Sequence, residues 1–400
     1  MTATIKAHGL DGDLVAPDWP PLTGPETLAL LRRFPECDGP IEILSVSPRP
    51  FSAASVVAVG AKRLFVKRHP RAVRDREGLL EEHRLLDHLR RRGAPVAQVL
   101  ATDTGETAIE LDDWTYEVHA AMEGIDLYEQ AISWTPFHST RHAFSAGELL
   151  ARLHRSAEGF AAPPRKAQPL VSSFSIFASA DPELAMRKYL GAHAALAHDA
   201  AARQDCDEAL EALDLFHAEL LPLLPALAPL WTQNDLHGSN IFWSDTSEDA
   251  RAVGAVDFGL ADRTNVVHDL AIAIERNIVE WLALVNDPAH PDGVPIHLDH
   301  LDAFLDGYES VRPLSSDEAH ALAPMTALCH AEFALSETDY FLGVLRSEEK
   351  AQMAYDGWLV GHARWFHSIA GRKLLEFLRR RAGRKDLPRV ARQEKNAARP

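Results

Sequence analysis

Between Ile41 and Lys67 the apolar residues are often β-branched and come in short runs split by turn residues. SVVAV (55–59) and LFVK (64–67) flank GAKR (60–63), a pattern that predicts a β-hairpin. The period then lengthens. In REGLLEEHRLLDHLRRRG (76–93), Leu79, Leu86 and Leu89 recur at helical spacing, and Gly93 with Pro95 marks the stop. Strand-like segments return at APVAQVLA (94–101) and TAIELDDWTYEVHAAM (107–122). Beyond Met122 the pattern is mostly helical. SAGELLARLH (145–154) places Ser145 three residues before Glu148, the spacing of a capping box. HDLAIAIERNIVEWLAL (268–284) carries Leu270, Ile274, Ile278 and Trp281 on one face, and a last long helix is expected over about 361–382. The chain therefore reads as α+β: an irregular leader (1–40), a small antiparallel strand-rich lobe (41–122), a larger mostly helical lobe (123–385) and a basic tail (386–400).

Composition narrows the function more than the fold. With 46% hydrophobic residues among 400, a substantial core is available. Lys and Arg total 41 against 58 Asp and Glu, a formal net charge of −17. So acidic a chain is ill-suited to nonspecific nucleic-acid binding or to anionic membranes, and is compatible with a cationic small substrate. The three cysteines, Cys37, Cys206 and Cys329, form no CxxC pair, as a reducing cytoplasm permits. The N-terminus lacks the charged-then-apolar pattern of a signal peptide, and no apolar run approaches membrane-spanning length. The expectation is a cytoplasmic protein.

The chemistry is concentrated in QNDLHGSN (233–240) and the AVDFG that ends at Gly259. A nucleoside triphosphate is bound with Mg²⁺, a hard ion that takes carboxylate and amide oxygens and keeps several waters. Asn240 and Asp257 supply such oxygens. A third oxygen, that of Asp235, is placed to orient an acceptor hydroxyl and take its proton. The kinase pattern H-R-D-L-x-x-x-N overlays Gln233–Asn240 with Asp, Leu and Asn in register. Asp257-Phe258-Gly259 follows as DFG, with IFW and AVGAV as strands of a hairpin between them. Upstream, Lys67 closes LFVK where a phosphate-binding cation is needed. Glu82 lies on the buried stripe of the next helix and is its expected carboxylate partner.

With these residues the chain resembles the aminoglycoside phosphotransferase and choline kinase-like family, the small-molecule branch of the protein-kinase-like fold. LARLH (150–154), NDLHGSN (234–240) and HDLA (268–271) carry the resemblance, over roughly residues 41–285. It implies Asp235 as catalytic base, Asn240 and Asp257 as Mg²⁺ ligands, and Lys67 on the ATP phosphates with Glu82 as partner. GTP is the alternative nucleotide. It further implies a purine-binding hinge near Glu117–Met122 and Asp269 as either a brace for the catalytic loop or a helix cap. The acceptor would be a small hydroxylated molecule: an amino-alcohol, amino acid, sugar or aminoglycoside. Two features depart from the family. Gln233-Asn234 replaces His-Gly, and the phosphate-covering segment SVSPRPFSAAS (45–55) has no glycine, leaving its Ser, Ala, backbone N–H groups or Arg49 to do that work.

A protein Ser/Thr kinase and a catalytically weak nucleotide-binding relative are the alternatives on this scaffold. No A-P-E segment follows DFG, and HDLA arrives nine residues after Gly259, which weighs against the first. Among the 20 histidines, His138 with His142 and His297 with His300 are spaced to share a helical face, without an HExxH motif. Glu332, Glu337, Asp339, Asp262 and Glu275 are candidates for holding an acceptor ammonium, or else form solvated helix faces.

Overall fold

The computed structural model describes residues 7–8 and 14–385, apart from 36, 38, 132 and 167; the expected basic tail lies outside the described residues. Helix α1 (Gly24–Leu31) precedes a five-stranded antiparallel sheet of β1 (Ile41–Val46), β2 (Ala53–Val59), β3 (Lys62–Pro70), β4 (Ile109–Leu111) and β5 (Trp114–Ala120). The strand order is β1-β2-β3-β5-β4, with α2 (Arg76–Arg91) between β3 and β4. The predicted hairpin is β2–β3, turning at Gly60, whose φ of 56° suits glycine. APVAQVLA forms no strand; Val96 and Val99 make single bridges to Ala255 and His119.

Alternation along the strands divides the residues of this lobe. Leu64 and Val66 of β3 and Tyr116 and Val118 of β5 enter one core. Arg63, Phe65 and Lys67, with Glu117 and His119, point to the other face and line a cleft. The leader joins the first core: Leu22, Leu30, Leu31, Phe34 and Cys37 pack in the same cluster. Glu26 of α1 accepts hydrogen bonds from Arg68 (2.6 Å) and Tyr116 (2.7 Å). Asp18, just upstream, accepts from Tyr340 and Lys350 of the helical lobe at 3.0 and 2.7 Å. A segment read from sequence as an irregular leader is thus tied to both lobes.

The helical lobe begins with α3 (Thr140–Ala157). Its N-cap is Ser139, which accepts from His142 N, not the expected Ser145; Ser145 is buried inside the helix and accepts from Ala252 N at 2.9 Å. Helices α4 (Pro182–Ala192) and α5 (Ala200–Leu220) lead to β6 (Pro229–Thr232). Two short antiparallel ribbons follow: β6 with β9 (Asp262–Asn265), and β7 (Ile241–Trp243) with β8 (Ala252–Ala255). Then come α6 (Val266–Ile278), α7 (Leu298–Val311), α8 (Ser316–Leu328), α9 (Ala331–Asp339) and α10 (Ile369–Gly383). Leu270, Ile274, Ile278 and Trp281 are all buried as their periodicity requires, but α6 stops before Val279, where an extended residue bridges to Ile296. The helix expected over 361–382 is likewise broken: a short helix, His362–Trp365, ends before Ser368, which caps α10 by accepting from Gly371 N. Among the described residues no helix is long and apolar enough to cross a membrane.

Candidate active site

Two ribbons present the QNDLHGSN loop. Strand β6 runs into Gln233 and β7 leaves from Asn240, while β8 leads to Asp257 and β9 returns after Gly259. The start of the loop is held by one buried carboxylate. Asp269, in the first turn of α6, accepts from Asn234 N at 2.9 Å and Gln233 N at 3.1 Å. His154 Nε2 stands 3.0 Å from the same carboxylate, so LARLH on α3 and HDLA on α6 meet at the loop. The N-cap of α6 is Asn265, which accepts from Val267 N and His268 N. Asp269 therefore braces the loop, settling the two readings of its sequence position. Gly238 lets the loop pass Tyr128: a Cβ there would lie 2.5 Å from the Tyr128 ring.

Asn240 Nδ2 donates to Asp235 Oδ2 at 3.0 Å and to its carbonyl at 2.9 Å, so the two side chains are neighbours. Asp257 has a φ of 55°, which turns its carboxylate toward Lys67; Lys67 Nζ donates to both oxygens at 3.2 Å. Burial works against both charges, yet the pairing outweighs it. The Asp257 carboxyl is held below its ordinary pKa by Lys67 and by Gly259 N–H. The Lys67 ammonium is held above its own by Asp257, Glu117 and Glu82. Asp235, Asn240, Asp257 and Lys67 are thus brought together. Glu82 is buried as expected, but the expected Lys67–Glu82 ion pair is not what forms. Glu82 Oε2 accepts from Arg165 Nη2 at 3.3 Å, and Arg165 Nη1 also donates to Gly259 O at 2.8 Å. A guanidinium fork reaches the Glu82 carboxylate, the Gly78 carbonyl and the loop carbonyls of Phe258, Gly259 and Ala261 at once, which a point-charge ammonium does not.

Two cavities meet here. The larger, about 520 Å³, lies between the lobes and is lined by β1–β3, by Glu117–Met122 and by Asn240, Phe242 and Asp257. The smaller, about 140 Å³, is lined by Asp235, His237, Trp134, Arg276, Phe333 and Glu337. Arg49, Lys67, Asn240 and Asp257 border both.

A family model described as phosphotransferase enzyme family matches residues 49–314. The chain belongs to the phosphotransferase enzyme family. It is accordingly a transferase of the kinase class with the two-lobed protein-kinase-like fold. Solved structures agree on that fold. The microcompartment-associated aminopropanol kinase superposes with a TM-score of 0.56 at 15% identity, covering 86% of this chain and 98% of its own. Amicoumacin kinase, solved with AMP-PNP and Ca²⁺, gives 0.51 at 14% identity, covering 84% and 93%. An aminoglycoside phosphotransferase from Alicyclobacillus acidocaldarius gives 0.50 at 16% identity, covering 91% and 98%. A search of curated protein sequences gave no match.

The two departures from the family pattern have physical accounts. Asn234 sits at a φ of 59°, where the family has glycine; asparagine is among the residues that tolerate this region. Its side chain accepts from Thr232 Oγ1 at 2.8 Å and donates to Ser172 O at 2.9 Å. Gln233 Nε2 donates to Val256 O (2.8 Å) and Asp257 O (3.1 Å), which ties the catalytic-loop segment to DFG. In the glycine-free segment, Arg49 crosses from the sheet and donates to Ser239 Oγ at 2.5 Å, in the QNDLHGSN loop itself.

Of the five acceptor-site carboxylates considered from sequence, Glu337 reaches the smaller cavity. Glu332 is taken up by Ser175 and Ile176, Asp262 by Arg165 N, Ser173 and Arg263 N, and Glu275 lies in the core. Asp339, the last residue of α9, is not among the residues lining either cavity. His142 is engaged by Tyr128 and Ser247 O, and His297 Nε2 by Glu280 at 2.7 Å, so each histidine pair has one ring committed to protein partners. Sequence reasoning missed Arg276 and Arg165. Arg276 was findable: it lies seven residues after Asp269, on the same face of α6.

Proposed function

We propose that the protein transfers the γ-phosphate of ATP to a hydroxyl of a small, amine-bearing acceptor such as an amino-alcohol or amino acid. The observation that carries this reading is the shared border of the two cavities. Lys67, Asn240 and Asp257 face both the cleft that would hold the nucleotide and the pocket that contains Asp235. Lys67 binds phosphate oxygens. The acceptor oxygen attacks phosphorus as the bond to the β-phosphate oxygen breaks. Its proton passes to Asp235, and ADP leaves. The donor set near the junction fits Mg²⁺: Asn240 spends its amide nitrogen on Asp235 and keeps its oxygen for a cation, beside the carboxylate of Asp257. Mg²⁺ on these two oxygens would offset the phosphate charge.

The pocket's size favours a small acceptor. About 140 Å³ is comparable to the ~150 Å³ cavities that take up a benzene molecule. Glu337, 1% exposed, has an oxygen with no hydrogen-bond partner and supplies the group an acceptor ammonium would meet in the pocket that Trp134 and Phe333 also line.

The test is a panel of hydroxylated amines, amino acids and sugars incubated with the protein and Mg-ATP, followed by ³¹P NMR. The proposal expects a new phosphomonoester and stoichiometric ADP with a small amine. ADP with inorganic phosphate as the sole product, whatever the acceptor, would reject it.

A further inference from the structure

Behind the acceptor pocket, three residues from separate parts of the helical lobe converge in the core. They are Glu275 on α6, His330 between α8 and α9, and His362 ahead of α10; they are 0%, 0% and 3% exposed. Their ligand atoms lie within 4.8 Å of one another. His330 Nδ1 is 3.6 Å and His362 Nε2 is 3.7 Å from Glu275 Oε1. Such separations are too long for hydrogen bonds. Both oxygens of Glu275, both ring nitrogens of His330 and Nε2 of His362 have no hydrogen-bond partner. A buried polar atom left unpaired is destabilising, so this concentration of them calls for a shared partner.

A second His/Glu cluster in the molecule shows what a metal-independent solution looks like. Around Glu117, His69, His83 and His119 approach at 3.0, 2.9 and 2.8 Å, and His83 Nδ1 meets Thr107 Oγ1 at 2.9 Å. Hydrogen bonds satisfy that cluster, and it asks for nothing more. The Glu275 cluster has the spacing of ligands instead. Zinc bonds of ~2.0–2.1 Å set tetrahedral ligand edges near ~3.3–3.4 Å, within a few tenths of an ångström of the two Glu275–His separations, and the third edge is no longer than 4.8 Å. Two imidazoles with one carboxylate is a zinc donor set, and Mg²⁺ or Ca²⁺ would demand oxygens. The charge balance agrees. Glu275 and Asp235 flank one guanidinium, Arg276, so a dication enters a region with carboxylates in excess.

We infer that Glu275, His330 and His362 form a buried divalent transition-metal site, with zinc as its natural occupant. The ion would staple α6, the α8–α9 corner and the start of the last helical segment. It would also fix Glu275, the sequence neighbour of Arg276, whose guanidinium pairs with Asp235. The site is structural and separate from the oxygen ligands of the cleft.

Elemental analysis of the untagged full-length protein, purified without added metal, tests this directly. About one zinc per chain is expected, retained through mild dialysis because the ligands are buried. Cobalt-loaded protein should show the intense visible bands of a tetrahedral Co²⁺ site. These bands should persist in Asp257→Asn and be lost in Glu275→Gln and in His362→Phe, with metal content falling at least tenfold in both. Folded wild-type protein that contains no transition metal and takes up no Co²⁺ would overturn the inference, whether or not the variants fold. So would cobalt bands that survive Glu275→Gln. Nucleotide binding measured on the same samples keeps this outcome distinct from failure of the phosphotransferase reading.

Discussion

Arg276 Nη2 stands 3.3 Å from Asp235 Oδ1, and its guanidinium lies over the rings of Trp134 and Phe333 at 4.8 and 5.2 Å. Burial lowers the arginine's pKa, and Asp235 and Glu275 more than offset this and raise it. A planar cation sandwiched by two rings has little freedom, so it fixes the carboxylate it touches. On the other side Asn240 donates to the second oxygen of Asp235. His237 contributes less, since its Nε2 is 3.7 Å away and burial lowers its pKa.

Arg276→Met should therefore act on the chemical step. The expected outcome is a fall in kcat of about 10²-fold, the scale of a lost positioning or electrostatic group, with ATP affinity within about threefold of wild type by calorimetry. An equal loss of nucleotide affinity would mean that the arginine supports the whole cleft and not the carboxylate.

Arg49 stands in the glycine-free segment that replaces the family's phosphate-covering loop. It borders both cavities and reaches Ser239, Ser133 and the carbonyl of Ala131. Arg49→Ala should lower kcat/KM for ATP by tenfold or more, and Arg49→Lys should recover part of it. A variant with unchanged kinetics would leave the segment without a phosphate-binding group.

Asp269→Ala removes the acceptor for two loop N–H groups and for His154, all buried. Leaving a buried polar network broken costs about 3–5 kcal/mol. The urea midpoint should fall accordingly, while helix content near native conditions stays unchanged because Asn265 caps α6. An unfolding free energy within about 0.5 kcal/mol of wild type would contradict the brace.

Burial pushes the Glu337 carboxyl up to about 8, against the opposing pull of Arg276. The unfolded chain releases that proton near 4.3, as free glutamate does. Between these values the folded state holds a proton that the unfolded state has lost, so stability declines as pH rises from about 4.5 to about 8. Glu337→Gln removes this slope. Compared by urea denaturation, the variant should gain relative to wild type at pH 8.5 and show little gain at pH 4.5. Parallel pH profiles would show that Glu337 titrates normally.

What the sequence disclosed was local. The β2–β3 hairpin, the buried stripe of α2 and the paired strands around DFG follow from periodicity and turn residues within a dozen positions. The misreadings came where a local pattern had to compete with tertiary contacts. Ser145 and Glu148 have capping-box spacing, but Ser139 takes the cap and α3 runs through Ser145. Glu82 was rightly placed in the core, yet its partner Arg165 comes from the irregular AAPPRKAQP stretch, which has no period to read. The leader reads as irregular because Pro and Gly obscure α1, and its contacts lie dozens to hundreds of positions away. In the site, Asp235, Asn240 and Asp257 were legible because a motif fixes their spacing, and Lys67 because it closes a predicted strand. The two cavity-lining rings were not, since only folding brings α9 and Trp134 to one pocket.

Asp235→Asn, assayed in a single turnover with saturating Mg-ATP and an acceptor found by screening, addresses the central claim. The substitution keeps the shape and the hydrogen bond to Asn240 within reach but removes the proton acceptor. Phosphoryl transfer should fall by about 10²–10⁴-fold, with Mg-ATP affinity by calorimetry unchanged within about threefold. Transfer at wild-type rate, with the protein folded and nucleotide bound, would contradict the account.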